Sequence, residues 1–144
     1  MRTFLIAALA CVVHMLEPSD VRAQNRFVVI VNQASPVTSL TRTDASKLFM
    51  RKITKWPNGH AVLPIDQVAA SPTRRVFSDD IHRMDVPRVK NYWQGLVFSG
   101  RGEPPPERAS DADIVQYVRS NPDAIGYVSA SAPVADVKVI AIQK

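Results

Sequence analysis

The chain has 144 residues, 46% of them hydrophobic, with a formal net charge of +5 and one cysteine. That length carries one core and not two, and a lone cysteine excludes a disulfide framework or a cysteine metal site. The positive excess favours anionic partners in general. Its basic residues are scattered, however, with Arg51-Lys52 and Arg74-Arg75 the only doublets. This spacing speaks for a solvated basic surface and against a nucleic-acid partner, which calls for a basic run with interleaved aromatics.

The first residues read as an address. Arg2 is followed by the apolar run Phe4 to Val13, a more polar stretch to Arg22, and the cleavage-type tripeptide Val21-Arg22-Ala23. The run is shorter than the roughly 20 residues that span a bilayer, and no later segment is longer, so no transmembrane segment is expected. Residues 1–23 are read as a cleaved signal peptide and 24–144 as one exported, periplasmic domain. Cys11 lies inside the apolar run and is read as part of it, not as a lipidated residue. The mature chain from Gln24 then has no cysteine.

Phe27 to Val31 is a β-branched run of the kind found in a strand buried on both faces. Residues 32–38 form a loop, and Thr41-x-x-Asp44 is a capping box for a helix over about 42–50, with Ala45, Leu48 and Phe49 inward. Pro57-Asn58-Gly59 marks a turn, and Ala61 to Asp66 a second strand that Pro64 places at an edge. Ser71-Pro72 opens a helix with a favoured cap and an N1 proline, and Val76, Phe77, Ile81 and Met84 line one of its faces.

Asp85 ends that helix or caps the next. There Val89, Tyr92, Trp93, Leu96 and Val97 form the cleanest helical stripe in the chain, which predicts a core-facing helix. Residues 99–106, with two glycines and three prolines, are irregular. Ser110-x-x-Asp113 caps a helix carrying Ile114, Val115 and Val118, and Asn121-Pro122 stops it. Ala124 to Val128 and Val137 to Ile142 are the remaining strands. Alternating strands and helices predict an α/β fold: a single small lobe with a mainly parallel sheet and helices on its faces.

No catalytic or cofactor pattern stands out. His60 and His82 have no metal-ligand spacing, and the pairs Asp79-Asp80 and Asp111/Asp113 read as solvated or capping residues. Gly100-Arg-Gly102 lacks the other parts of a phosphate-binding glycine loop. The expectation is a non-enzyme without a cofactor.

Three segments taken in order resemble the phosphate-binding proteins of phosphate ABC transporters. Leu48-Phe-Met-Arg-Lys-Ile-Thr-Lys-Trp56-Pro-Asn-Gly59 is similar to their I-F-x-G-K-I-x-x-W-x-D/N segment. Leu63-Pro-Ile-Asp-Gln67 to Ser71-Pro-Thr-Arg-Arg-Val-Phe77 is similar to the next, where an arginine precedes Ser-Gly-Thr by four places. Asn121-Pro-Asp-Ala-Ile-Gly-Tyr-Val128 resembles P-G-A-I-G-Y-V. The resemblance covers nearly all of the mature chain, and what it covers is the second lobe of a two-lobed type II periplasmic binding fold. It implies an oxyanion site at a helix start, held by Ser71, Thr73, Arg74 and Gln67.

Free amides and a helix dipole favour an anion there. Yet Pro72 stands for the motif glycine and deletes a donor, while Gln67 stands for the motif arginine and removes a bidentate fork. Trp56 and Gly126-Tyr127 read as structural. Two functions follow. The first is a solute-binding module for phosphate or a related oxyanion, tied to phosphate uptake. The second is a ligand-free interaction or sensory module whose partner is another periplasmic or membrane protein.

Overall fold

A computed structural model of the chain describes residues 27–144, so the expected signal peptide, its cleavage after Ala23 and Cys11 lie outside the described residues. Five strands form the main sheet in the order β2-β7-β1-β6-β3: β1 (Phe27–Val31), β2 (Ser39–Thr41), β3 (Leu63–Pro64), β6 (Ala124–Ser129) and β7 (Lys138–Gln143). The short strands β4 (Asp66–Gln67) and β5 (Glu107–Arg108) pair with each other beside it. The α/β class is as expected, but the sheet is mixed and not mainly parallel. β1 runs antiparallel to both its neighbours, β6 and β7, whereas β2 follows β7 and β3 follows β6. Four strands therefore share one direction, with the single opposed strand at the centre. Direction of pairing has no local signature, since an antiparallel strand buried on both faces carries the same apolar run as a parallel one.

The pleat sends alternate side chains to opposite faces. Phe27, Val29 and Val31 meet Ile125 and Tyr127 under helix α1 (Arg42–Phe49) and helix α2 (Pro72–Phe77). Ile30 and Val128 face Ile114 and Val118 of helix α4 (Asp111–Ser120) on the other side. The first cluster is aromatic at heart. Phe77 stacks on Tyr127 with ring centres 3.7 Å apart and meets the edges of Phe27 and Phe49.

Capping is close to expectation. The hydroxyls of Thr41, Ser71 and Ser110, and the Asp85 carboxylate, each accept from the amide three residues on. Asp44 and Asp113 complete their boxes by accepting from the capping hydroxyl, not from its amide. The predicted strand 61–66 is broken at Ile65, with β3 at the sheet edge and β4 turned away to β5. Beyond α2 the chain continues as a π-helical turn (Ser78–His82) ended by Arg83 in the left-handed conformation.

Helix α3 (Val86–Phe98) corrects the clearest periodicity in the sequence. Val89 and Trp93 are buried, but against Met50 in a small cluster of their own, away from the sheet. Val97 is 52% exposed and Phe98 90% exposed. The stripe is real; the surface it covers is the end of α1, not the main core. Among the described residues no helix is long and apolar enough to cross a membrane.

Candidate functional site

The four residues singled out at the helix start come from two elements that the fold brings together. β4 is held by Asp66 N–H to Pro106 O at 2.9 Å and Val68 N–H to Arg108 O at 3.0 Å. It presents Gln67 to the first turn of α2, where Ser71 caps and Pro72 occupies N1.

Gln67 is 2% exposed and its side-chain amide is fully engaged inside the lobe. Its Nε2 donates to Asp111 Oδ1 at 3.0 Å and to Tyr127 O at 3.0 Å, while Oε1 accepts from Ser71 Oγ at 2.5 Å. The Ser71 hydroxyl thereby spends its proton on Gln67 and its lone pair on the Arg74 amide. Arg74 is 4% exposed. Its Nη1 lies 2.8 Å from Asp66 Oδ2 and 3.4 Å from Glu107 Oε1, and also donates to Gln67 O, while its buried Nε has no partner. Only Thr73, half-buried, stands outside this web.

Five further residues complete the network and escaped the sequence reading. Tyr127 donates its hydroxyl proton to Asp66, and Asp111 accepts from Ser129 Oγ at 2.6 Å and Ser129 N–H at 3.2 Å. Glu107 closes the ring beside Arg74. Asp111, read as a solvated helix residue, is instead the brace between α4, β4 and β6. Gln67 was the only visible signal, because a polar residue in an apolar strand context calls for partners.

The electrostatics follow from the count of charges. The Arg74 guanidinium sits between two carboxylates, Asp66 and Glu107, and a third, Asp111, holds the Gln67 amide, so the position opposes an incoming anion. Burial raises the Asp66 pKa to about 6, outweighing Arg74, the Tyr127 hydroxyl and the Gln67 amide, which all lower it. Burial likewise pushes Tyr127 well above its ordinary value. A buried pair of this kind contributes little net stability but is costly to break.

The remaining sequence candidates have structural places. His60 is on the surface with Nδ1 3.1 Å from Asp123 Oδ1. His82 is buried, its Nδ1 2.9 Å from Ser46 Oγ, and burial lowers its pKa to about 4, helped by Arg74 and Lys52. Trp56 is 8% exposed and donates Nε1–H to Asp123 O at 3.0 Å. At Gly126 an added Cβ would lie 2.8 Å from Ile65 Cγ2, so only glycine fits without a shift of its neighbours. A cleft of about 590 Å³ lies at the opposite end of β6, walled by Pro36, Val37, Trp56, His60 and Pro122.

Residues 22–142 match the family model described as the PBP superfamily domain. Among solved structures, the chain is similar to an ABC-type phosphate transport receptor from Vibrio cholerae, with 24% identity and a TM-score of 0.61. It is also similar to a protein assigned as the substrate-binding component of a phosphate ABC transporter in Clostridium perfringens, solved with phosphate bound, at 21% identity and a TM-score of 0.58. PstS from Borrelia burgdorferi is a third, at 11% identity and a TM-score of 0.58. These alignments take in 82%, 81% and 83% of this chain, but only 46%, 44% and 47% of the other three. The chain thus spans less than half the length of each, consistent with a single lobe. At these identities the likeness speaks for the fold. No curated protein matches the chain.

Proposed function

Because the chain belongs to the PBP superfamily domain family, we propose that it is an exported one-lobe module that acts by contact with another protein. In this reading the oxyanion position inherited from phosphate-binding relatives is closed by the chain's own side chains. The observation that carries it is the use of Gln67, Ser71 and Arg74 within the lobe, with Asp66 and Glu107 on the guanidinium and Asp111 on the Gln67 amide. Pro72 has no N–H, and Ser71 takes the Arg74 amide. Fold alone does not carry the relatives' binding over to this chain. No catalytic role is proposed.

A second reading has one observation in its favour. The Thr73 hydroxyl and amide are engaged by nothing among the described residues, and a relative of the same fold was solved with phosphate bound. On that reading the lobe holds phosphate or a related oxyanion weakly, in connection with phosphate uptake. Thermal unfolding in phosphate against chloride at matched ionic strength separates the two, since a ligand of the native state raises the melting temperature by mass action. The first reading expects no phosphate-specific shift for the natural chain. A shift beyond the salt control, abolished by Thr73→Val, would overturn it. Export is tested separately, by mass spectrometry of the secreted form, which should begin at Gln24.

A further inference from the structure

We infer that Arg51, Lys52, Arg83 and Arg88, gathered where α1 ends against α3, form a docking surface for an acidic segment of a partner protein. This rests on the interaction-module reading above and gives that module a place and a partner chemistry. Met50 and Met84 belong to one small cluster with Val89 and Trp93, so Arg51 and Arg83, their chain neighbours, are brought to the same part of the lobe. Tyr92 donates its hydroxyl to Met50 O at 3.3 Å, and the Lys52 ammonium lies 5.6 Å from the centre of the Tyr92 ring. Arg88 precedes Tyr92 by four residues, one helical turn, and so shares its side of α3. The Lys52 charge is also felt at His82, the residue before Arg83.

All four cations are exposed. Among the described residues none of them lies within salt-bridge distance of a carboxylate, whereas Arg42, Arg74 and Arg119 each do. The acids nearby in sequence are otherwise placed: Asp85 caps α3, Asp80 pairs with Arg42, and Asp79 is an exposed residue of the π-helical turn.

Backbone conformation supplies the independent observation. Arg51 has φ 53° and Arg83 φ 55°, and these are the non-glycine residues with positive φ among those described. Both follow a helix end, where glycine is the usual occupant because it has no Cβ to strain. Neither arginine side chain makes a hydrogen bond or ion pair that would offset the strain within the lobe. Two strained sites have thus been given charge in place of conformational ease, and each is the chain neighbour of a methionine in the same small apolar cluster. Strain of this kind marks function when nothing internal explains it.

Three of the four cations are arginines, whose planar forks suit carboxylates, and the floor between them is a half-buried Tyr92 and Met84. That pattern fits an acidic segment carrying one apolar side chain. A membrane surface would call for a protruding apolar residue among the cations. Phe98 protrudes, but ten residues beyond Arg88, roughly 15 Å along the helix.

The test is fluorescence anisotropy of a labelled 12-residue peptide of Glu and Asp with one central Phe, at physiological ionic strength. The double variant Arg51→Gly/Arg83→Gly keeps the backbone conformation and is compared with Arg108→Gln/Lys144→Gln, which has the same net charge. We expect the first pair to weaken binding about tenfold, the loss of two exposed charge pairs, with an unchanged or higher melting temperature. The control pair should stay near the natural affinity. Equal losses in both pairs mean generic attraction and overturn the proposal. So does an affinity indifferent to Arg51 and Arg83, or binding only to phosphatidylglycerol vesicles. A phosphate-specific thermal shift with peptide binding intact would defeat the closed-site reading alone.

Discussion

Two clusters of this lobe make an instructive pair. Beneath α2 and β6, Phe77 is fully buried and is ringed by Tyr127, Phe27 and Phe49. Beneath α3, Trp93 is 6% exposed and shares a pocket with Met50 and Val89. The sequence advertises the second more loudly, since α3 carries five apolar residues at helical spacing and the helix read from Ser71-Pro72 carries four. Periodicity reports that a helix has a dry side. It does not report how much protein stands on that side.

The sharpest way to break the comparison is to empty each cluster. Phe77→Ala should cost about 5 kcal/mol and Trp93→Ala about 3 kcal/mol, the two ends of the range for a truncated core aromatic. Urea unfolding followed by circular dichroism measures both. Equal losses would mean that α3 is as deeply tied to the core as α2. Loss of less than about 1 kcal/mol at Trp93 would remove α3 from the folded core altogether.

Next in size is a pH effect on the residues that edge the aromatic cluster. His82 has a folded pKa of about 4 against an ordinary 6.5, so the unfolded chain takes the proton first and stability drops as pH falls through that interval. Asp66 has a folded pKa of about 6 against 3.8. The folded chain holds its proton more tightly, so the contribution of Asp66 grows as pH falls from 6 towards 4 and is lost as pH rises through 6. In the natural chain the two largely offset each other. Relative to it, His82→Gln should gain stability between pH 6.5 and 4, and Asp66→Asn should lose it, each on the order of 3 kcal/mol. Parallel curves for all three proteins would show that neither group titrates as its burial requires.

The smallest effect belongs to the α3 end. Arg51→Gly should stabilise by about 1 kcal/mol, because glycine takes the left-handed conformation without strain. A loss measured in the same unfolding experiment would show that the arginine is anchored internally.

The sequence displayed what is local. All four caps are spelled by a hydroxyl or carboxylate before an apolar run, and β1, β6 and β7 are long enough for their apolar content to mark them. β2, β4 and β5 have two or three residues each, too few for any period. The polar network was hidden for a different reason. Gln67 finds Asp111 44 positions away and Tyr127 60 positions away, distances that no spacing rule covers. Read beside the family segment, Gln67 is a missing arginine. In the fold it is a satisfied amide that draws Ser71 inward. Thr73 alone among the four makes no hydrogen bond within this network.

Gly126 has a bearing on that network although it touches none of its polar atoms. A methyl group there would meet Ile65 Cγ2 at 2.8 Å and Ile114 Cγ2 at 2.9 Å, so the bare α-carbon sets how near α4 can settle on the sheet. Ile114 is one turn along from Asp111, the residue that clasps Gln67 and Ser129 at the head of the same helix. A side chain at 126 would press on Ile114 and Val118 of α4 as well as on Ile65, and so on the helix that carries Asp111. One hydrogen atom in β6 thereby sets the spacing between α4 and the sheet on which the Asp111 contacts to Gln67 and Ser129 depend.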